Sequence, residues 1–261
     1  MLITDDSETL LGHNKVAVQP QGTALRVLVA IPAYNEEATI KGVLKRVQEA
    51  LPDFDLLVIN DGSKDGTEGQ LSDFGIRTVT HLCNLGYGRA IQTALKYALA
   101  HGYDALITLD ADGQHHPEQI EEMFQAFSKE GWDCLIGSRY IQTHNYGDSP
   151  VGRRIGMQLF SVLTRIILGR RIYDTTSGLK IIRRKVFEPL IRWHFVDFHA
   201  EAIVYLSRLG FRVGEFPITV AEREHGQSMY SAISAILYPT KTMLMVFLGI
   251  IQAHLTTRKQ S

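Results

Sequence analysis

The stretch Val27-Leu-Val-Ala-Ile-Pro-Ala-Tyr-Asn-Glu36 decides the fold. Its apolar run, Val27–Ile31, predicts a buried strand, and the polar turn after it leads into an amphipathic segment of helical length, Glu36–Ala50. A strand followed by a helix is a βα unit. Because the same alternation recurs along the chain, the sequence predicts an α/β domain with a mostly parallel, Rossmann-like sheet flanked by helices.

Six more strands and four more helices follow from the same patterns of apolar residues. The expected strands are Leu56–Asn60, Ile76–Thr80, Ala105–Leu109, Cys134–Gly137, Leu179–Ile182 and Phe211–Ile218. The expected helices are Gly88–Ala100, Pro117–Ser128, Val151–Leu168 and His199–Arg208. Pro117 suits the first turn of its helix, where no backbone N–H is needed.

Composition excludes several classes of protein. The 261 residues are 45% hydrophobic and 21% charged, which is typical of a globular domain. The net charge of -1 provides no general attraction to nucleic acid, so we expect no nucleic-acid partner. The only cysteines, Cys83 and Cys134, form no CxxC pattern, which argues against a disulfide framework or a thiolate zinc site and favours a reduced, cytoplasmic location.

The two ends of the chain differ from its middle. Residues 1–22 are polar and lack the basic start and apolar run of a secretory signal, so we interpret them as a flexible leader. Residues 230–261 are rich in apolar groups, but the longest unbroken run, Met243–Ile251, has nine residues. A membrane-spanning helix needs about 20. Two interpretations stay open: helices packed on the domain, or an amphipathic helix lying in the membrane interface.

Two carboxylates, Asp110 and Asp112, directly follow the predicted strand Ala105–Leu109. Ligands of open α/β sheets bind beyond the carboxyl ends of the strands, where two such carboxylates would repel each other unless a cation lay between them. Mg²⁺ and Mn²⁺ prefer oxygen ligands and commonly join carboxylates to substrate phosphates. A DxD pattern alone is more often a solvated turn, so the assignment depends on its neighbours.

Two further strand-end loops carry characteristic residues. The first strand ends in Pro32-Ala-Tyr-Asn-Glu36 and the second in Asp61-Gly-Ser-Lys-Asp-Gly-Thr67. With the DxD these motifs occur in the order found in family 2 glycosyltransferases of the GT-A fold, which the chain resembles. The resemblance continues through Asn84–Gly88, a GSR segment at Gly137–Tyr140 and Ser177–Lys180. It implies a GT-A domain over residues 23–229, followed by C-terminal amphipathic or interfacial helices over residues 230–261.

The resemblance implies roles for individual residues of the donor site. Pro32, Tyr34, Glu36 and Asp61 would hold the nucleoside of a nucleotide sugar, with Asp61 accepting hydrogen bonds from the base. Asp110, Asp112 and Gln114 would organise Mg²⁺ or Mn²⁺, while Arg223 and Ser228 would hold the departing diphosphate. A single displacement would invert the anomeric carbon, with GDP-mannose or UDP-glucose as the type of donor.

Within the family, the chain is most similar to polyprenyl-phosphate sugar synthases such as dolichol-phosphate mannosyltransferase. Arg139, Arg153 and Arg223 match arginines of that group. Between Arg139 and Arg192, eleven lysines and arginines face three acidic residues, a charge excess suited to a phosphate-bearing lipid or an anionic membrane. We therefore expect a peripheral enzyme at the cytoplasmic face of the membrane, on the lipid surface or on a partner membrane protein.

Three functions remain in competition. An ionised lipid phosphate needs no general base, only arginines such as Arg139 and Arg153 to position it. A hydroxyl acceptor on a glycan would need a base, and Glu201 is the obvious carboxylate. The third hypothesis is a module that binds nucleotide sugar without turning it over, which would require that the carboxylates and Arg223 do not converge in space.

Overall fold

The computed structural model describes residues 25–142, 151–193, 198–221 and 243–255, and within them the side chains of residues 151–156 and 159 are not described. The elements, in chain order, are β1 Val27–Ala33, α1 Ile40–Ala50, β2 Asp55–Asn60, α2 Thr67–Phe74, β3 Thr78–Thr80, α3 Tyr87–Ala100, β4 Ala105–Thr108, α4 Ile120–Glu130, β5 Cys134–Ser138, α5 Val151–Leu168, β6 Lys180–Arg183, α6 Phe187–Arg192, α7 Ala200–Arg208 and β7 Val213–Pro217. Residues 243–255 form a further helix, α8.

One seven-stranded sheet organises the described residues, in the order β3-β2-β1-β4-β6-β5-β7. The first four strands of this order are mutually parallel, and so are β5 and β7. Only β6 runs antiparallel, hydrogen-bonded to β4 on one side and β5 on the other. The predicted α/β class and mostly parallel sheet are confirmed, and the carboxyl ends of β1, β2 and β4 meet at one edge.

Alternate residues of the central strands enter two separate cores. Leu28 and Ala30 of β1 face a cluster covered by α3, α6 and α7, whereas Val29 and Ile31 face a cluster covered by α1 and α4. A strand buried on both faces must be apolar throughout, which explains the unbroken run in β1. The result is a sheet between two layers of helices.

The largest boundary difference concerns α1, which begins at Ile40 and not at Glu36. Asn35 has a φ of 57°, and the backbone N–H groups of Glu36 and Glu37 donate to the side chains of Thr67 and Asp65. The residues before α1 therefore bind the loop that follows β2 and do not form the first turn of the helix. Pattern analysis also missed α2 and α6, which are only eight and six residues long.

Helix α8 packs on α5 and α7. Its Val246 is buried with Phe160, Ala200 and Val204. On its other side it exposes apolar residues, namely Met243, Leu244, Phe247, Leu248, Ile251 and Leu255. The packed interpretation therefore holds for one face of α8. None of the helices in the described part of the chain combines the length and apolarity needed to cross a bilayer. The predicted leader, residues 1–22, lies outside the described residues.

Gly214 of β7 provides a test of packing at the sheet edge. A Cβ added there would lie 2.9 Å from the ring of Trp132, so we expect Gly214→Ala to lower the free energy of unfolding by about 1–3 kcal/mol through overpacking. Gly42→Ala in α1 is the control, because no atom lies within 4 Å of its added Cβ. That change should raise stability by up to about 1 kcal/mol. Urea unfolding of both variants measures the effect, and equal stabilities would contradict it.

Candidate functional site

The loops that follow β1 and β2 are locked together by side-chain hydrogen bonds. Asn35 accepts from the backbone N–H of Lys64 at 2.8 Å, and its own N–H donates to the Ser63 hydroxyl at 3.0 Å. The Glu36 N–H donates to Thr67 Oγ1 at 2.8 Å. Tyr34 stands beside these contacts with 37% of its surface exposed, so its ring is free to stack on a ligand.

Asp61, directly after β2, is buried and organises the turn before α3. Its Oδ1 accepts from the Leu85 N–H at 2.9 Å, and its Oδ2 accepts from the Gly86 N–H at 2.8 Å. His81 Nδ1 lies 2.6 Å from Oδ1, while its Nε2 lies 2.9 Å from Thr93 Oγ1. The carboxylate therefore shapes the glycine-bearing turn, and its contact with a base stays a prediction.

Gly62 shows how closely this turn approaches the β2 loop. Its φ is +69°, and an added Cβ would lie 2.5 Å from the carbonyl carbon of Cys83. Because backbone atoms cannot move aside as a flexible side chain can, a glycine is required. The DGS segment thus holds the segment before α3 at the carboxyl end of β2.

Asp110, two residues beyond the end of β4, lies directly over Gly178. A Cβ on Gly178 would lie only 2.0 Å from Asp110 Oδ2, so the carboxylate occupies the space where any other side chain would be. Thr108 Oγ1 donates to the Gly178 carbonyl at 2.6 Å and holds the two segments in contact. Roughly a third of the Asp110 side chain, 33%, stays exposed toward ligand.

The charge of Asp110 is maintained by its neighbours. Burial alone would raise the pKa of this carboxyl group, but His115, with Nε2 at 3.7 Å, and the Lys180 ammonium outweigh burial and hold the pKa below its usual range. The adjoining Tyr87 responds in the opposite way, because burial and the Asp110 charge both raise the pKa of its hydroxyl well above the ordinary value. The Asp110 carboxylate is thus ionised at neutral pH.

Asp112 and Gln114 continue the same loop. Asp112 Oδ1 accepts from the Gln114 N–H at 3.1 Å. Gln114 in turn binds the segment after β7: its carbonyl accepts from the Ala221 N–H at 2.8 Å, and its side-chain amide donates to the Ala221 carbonyl at 3.4 Å. The DxD loop is therefore held at Asp110 by the Gly178 segment and at Gln114 by the segment after β7.

The residues fit a magnesium or manganese ion that is shared with substrate. In the described residues no three His, Cys, Asp or Glu side chains are grouped so as to hold a metal ion. Asp110 and Asp112 would supply two hard oxygen ligands, and Mg²⁺ typically binds one or two carboxylates with substrate phosphates and water completing its shell. This ligand set does not suit structural zinc, which needs four protein ligands.

Arg139, just after β5, is paired with Asp174. Its Nε and Nη2 donate to the two carboxylate oxygens at 2.7 and 2.8 Å, and Nη2 also reaches Thr176 Oγ1 at 3.1 Å. Asp174 is fully buried, and Arg139 keeps 16% of its side chain exposed. Burial would lower the pKa of Arg139, but Asp174 raises it above the usual range, so the guanidinium is permanently charged and rigidly placed.

Three more ionisable groups lie in β6 and at the start of α7, and two of them, Lys180 and Glu201, are buried. Lys180 is 1% exposed, donates to the Ser177 carbonyl and lies 5.1 Å from the centre of the Phe198 ring. Glu201 is 2% exposed, and its Oε1 accepts from the His199 N–H at 3.2 Å. Burial and the Lys180 charge lower the pKa of His199 to about 3, so this imidazole is neutral.

Sequence reasoning missed the supporting residues of the site. His81 and Thr93 belong to no sequence motif. Only the fold brings His81 to Asp61 and Thr93 to the other nitrogen of the His81 ring. Asp174 had a usable signal, since it is one of only three acids in the basic region 139–192. Among the predicted site residues, Arg223 and Ser228 lie outside the described residues, and of Arg153 only the backbone is described, in α5.

Two cavities in the described part of the chain lie away from the DxD loop. One is lined by residues around the start of β2, including Pro52, Phe54 and Ile76. The other lies beside Trp132 and Phe211. The candidate site lies at the strand ends, where loops from four elements converge.

Asp61→Ala should damage both folding and nucleotide binding, because it removes a buried carboxylate that accepts from the Leu85 and Gly86 N–H groups and pairs with His81. We expect a loss of about 1–3 kcal/mol in the free energy of unfolding, the usual effect of losing hydrogen bonds to a charged group, and weaker binding of nucleoside diphosphate. Urea unfolding and calorimetric titration measure the two effects. Asp73→Ala, at an exposed position of α2, is the control; unchanged stability in both variants would refute the role.

Comparison with known proteins finds a matching family and relatives of similar length. The family model of glycosyl transferase family 2 matches residues 28–191. Undecaprenyl-phosphate mannosyltransferase of Micrococcus luteus is 32% identical over 216 residues, 79% of this chain and 88% of that protein. Polyprenol monophosphomannose synthase of Mycolicibacterium smegmatis is 33% identical over 243 residues, 88% of this chain and 89% of that protein.

Solved structures share the fold. Glucosyl-3-phosphoglycerate synthase from Mycobacterium tuberculosis, crystallised with Mn²⁺, uridine diphosphate and phosphoglyceric acid, superposes with a TM-score of 0.61 at 19% identity and covers 88% of this chain and 78% of that one. The family match spans the βα units, the DxD loop and the Gly178 segment that were described above. The chain belongs to glycosyl transferase family 2.

Proposed function

We propose that this protein transfers a hexose from a nucleotide sugar to a polyprenyl phosphate, with inversion of the anomeric carbon and with Mg²⁺ or Mn²⁺ as cofactor. The observation that carries the proposal is the ionised Asp110 carboxylate, fixed over Gly178 at the sheet edge and adjoined by the charged, rigid Arg139. The choice of acceptor is supported by the two relatives, an undecaprenyl-phosphate mannosyltransferase and a polyprenol monophosphomannose synthase.

The donor would lie across the carboxyl ends of β1, β2 and β4. Tyr34 is exposed for stacking on the base, while Pro32, Glu36 and Asp61 line the neighbouring loops. Asp110 and Asp112, with Gln114 beside them, would hold the divalent cation, which when bound neutralises charge on the diphosphate leaving group. Arg223 and Ser228 would contact the same diphosphate. GDP-mannose and UDP-glucose are the donor types to be tested first.

The acceptor oxygen needs orientation more than activation. A lipid phosphate is already ionised at neutral pH, so its oxygen attacks the anomeric carbon without losing a proton, and the nucleoside diphosphate departs from the opposite face. Arg139 and Arg153 would position that phosphate. Arg139 is suited to this task because Asp174 fixes two of its nitrogens while 16% of the Arg139 side chain stays exposed.

Glu201 supports the same choice of acceptor. A general base for a hydroxyl group must reach the reacting oxygen, but Glu201 is 2% exposed and one of its oxygens accepts from the His199 N–H at the start of α7. That environment suits a carboxylate that stabilises the buried Lys180 charge. Transfer to a lipid phosphate requires no further base.

The enzyme would act as a peripheral protein at the cytoplasmic face of the membrane. Helices α5 and α8 together expose apolar side chains, including Ile166, Phe247 and Leu248, at 75%, 60% and 42% of their surface. Such a face, flanked by the basic region 139–192, is typical of helices that lie in a lipid interface. A partner membrane protein could bind the same face.

The reaction class has a direct test. The protein is incubated with radiolabelled GDP-mannose, UDP-glucose or UDP-N-acetylglucosamine, a polyprenyl phosphate and Mn²⁺ or Mg²⁺. We expect the label to enter the organic phase with one of the donors and to remain in water when EDTA is added. Label transferred equally well to a soluble glycan would contradict the lipid acceptor.

Asp112→Asn should lower kcat about 10²- to 10³-fold, the range lost when one charge-stabilising group is removed. It should also weaken Mn²⁺ binding, measured by electron paramagnetic resonance with nucleoside diphosphate present, while the unfolding curve stays unchanged. Glu122→Gln, which removes one carboxylate from an exposed position of α4, is the control and should match the wild type. Near-normal turnover of a folded Asp112→Asn protein would refute the metal site.

A pair of variants separates the two acceptor classes. We expect Arg153→Ala to raise the KM for polyprenyl phosphate and to leave donor binding intact, because its charge would act on the acceptor alone. Glu201→Gln should have a mild effect on kcat. Arg165→Ala, at an exposed position of the same helix, is the matched control.

The opposite pattern would identify a hydroxyl acceptor. A loss of about 10²- to 10⁴-fold in kcat for Glu201→Gln is what removal of a general base produces. If that loss occurred in a folded protein while Arg153→Ala had no effect, the lipid-phosphate proposal would be wrong. Circular dichroism and calorimetric donor titration exclude misfolding as the cause.

A further inference from the structure

A basic groove lies at the end of the sheet opposite the DxD loop. It has a volume of about 540 Å³, within the range of small-ligand sites. The segments that form it are the last turns of α5 and α7 and the residues just before β5 and β7. Its main lining residues are Trp132, Ile167, Arg170, Arg208, Phe211 and Arg212. We call this the Trp132 groove.

Three guanidinium groups are concentrated in the Trp132 groove. Arg170 and Arg212 both lie over the Trp132 ring, with their Cζ atoms 5.7 and 5.0 Å from its centre. Partial burial lowers the pKa of Arg170, and the positive charge of Arg212 adds to this while Glu215 opposes it. The arginines therefore repel one another, and a bound anion would relieve that repulsion.

The carboxylates around the groove already have other partners. Glu130 accepts from the Trp132 indole N–H at 2.9 Å, and Asp133 accepts from the Arg212 backbone N–H and pairs with Lys185. Glu215 accepts from the N–H groups of Tyr173 and Asp174. Within the described residues, the guanidinium groups of Arg170 and Arg208 form no hydrogen bond or ion pair, so they remain available to a ligand.

We propose that the Trp132 groove is a second anion site, which binds the phosphate group of an anionic ligand. Guanidinium groups match phosphate oxygens in geometry as well as in charge. The apolar walls, Ile167 and Phe211, would contact the carbon atoms next to that phosphate. A phospholipid headgroup has both parts, and a soluble phosphate ester shares the same chemistry.

The position of the groove favours the lipid headgroup as the source of the phosphate. Ile166, adjacent in sequence to the lining residues Ile167 and Leu168, is 75% exposed. Helix α5 therefore carries an exposed apolar side chain next to the groove, and the same helix packs on α8, which exposes further apolar side chains. A headgroup in the groove would orient the enzyme on an anionic membrane, independently of sugar transfer.

Vesicle sedimentation of the full chain tests the proposal. Binding is compared between vesicles of phosphatidylcholine with phosphatidylglycerol and vesicles of phosphatidylcholine alone. The double variant Arg170→Gln/Arg208→Gln should bind the anionic vesicles about 30-fold more weakly, since each arginine near an anionic surface contributes about fivefold. The control Lys41→Gln/Lys96→Gln removes the same charge from exposed positions of α1 and α3 and should retain binding.

Tryptophan fluorescence distinguishes a lipid headgroup from a soluble phosphate. The chain has two tryptophans, and Trp193 is buried, so Trp132→Phe identifies the signal of the groove. If vesicle binding is the same in both double variants but inorganic phosphate or glycerol 3-phosphate changes Trp132 fluorescence saturably, and only with the arginines intact, the site takes a soluble phosphate.

The proposal is overturned if the arginine and lysine pairs lose equal vesicle affinity and neither phosphate changes Trp132 fluorescence. That result would mean that only general attraction between the protein and an anionic surface operates. None of these measurements needs a sugar donor. Loss of the groove and loss of transferase activity are therefore observed separately.

Discussion

The contact of the Asp110 carboxylate with Gly178 is the constraint on which the site depends. Strand β6 runs antiparallel beside β4, with Thr108 paired to Lys180, and continuing this register places Gly178 opposite Asp110. The Thr108 hydroxyl then closes on the Gly178 carbonyl. Because the carboxylate fills the space that a Cβ would need, Asp110 and the returning strand share one position, and neither segment can shift without the other.

The same strand carries the charge that balances the site. Lys180 follows Gly178 by two residues and is buried behind Asp110, in electrostatic contact with Asp174 and Glu201. Asp174 in turn fixes Arg139, which leaves β5 on the other side of β6. Buried charges are tolerated only when they are paired and hydrogen-bonded. Their pairing also means that the carboxylate and the guanidinium are already oriented before substrate arrives, which is how electrostatic catalysis avoids reorganisation.

The fold separates two kinds of surface. The strand ends carry polar loops joined by side-chain hydrogen bonds, as between Asn35 and Lys64, and they suit a hydrophilic nucleotide sugar. The helices α5, α7 and α8 pack on one another through apolar side chains such as the buried Val246. They also expose apolar side chains to solvent, such as Phe247. A reaction that joins a water-soluble donor to a lipid phosphate needs both surfaces on one rigid body, and the βα architecture places them on different layers.

Much of the fold and the main site motifs could be predicted from the sequence. Apolar runs identified all seven strands. The signal is strongest in the central strands β1 and β4, because a strand that is buried on both faces is apolar along most of its length. Helical periodicity identified α3 and α5 within a residue of their bounds, and strand-end carboxylates located Asp110 and Asp112. These features are local: each follows from a few neighbouring residues and the period of a helix or a strand.

Only the tertiary structure decided which distant residues meet. His81 reaches Asp61 across 20 positions of chain and Asp174 reaches Arg139 across 35, and no periodicity encodes such a pairing. The antiparallel direction of β6 and the late start of α1 were decided in the same way, by contacts with other loops and strands. Sequence alone determined the α/β class and the chemistry at the strand ends, since both depend on local pattern. The structure determined which residues hold the site residues in place, because the hydrogen bonds of these residues form only when distant strands and loops come together in the folded sheet.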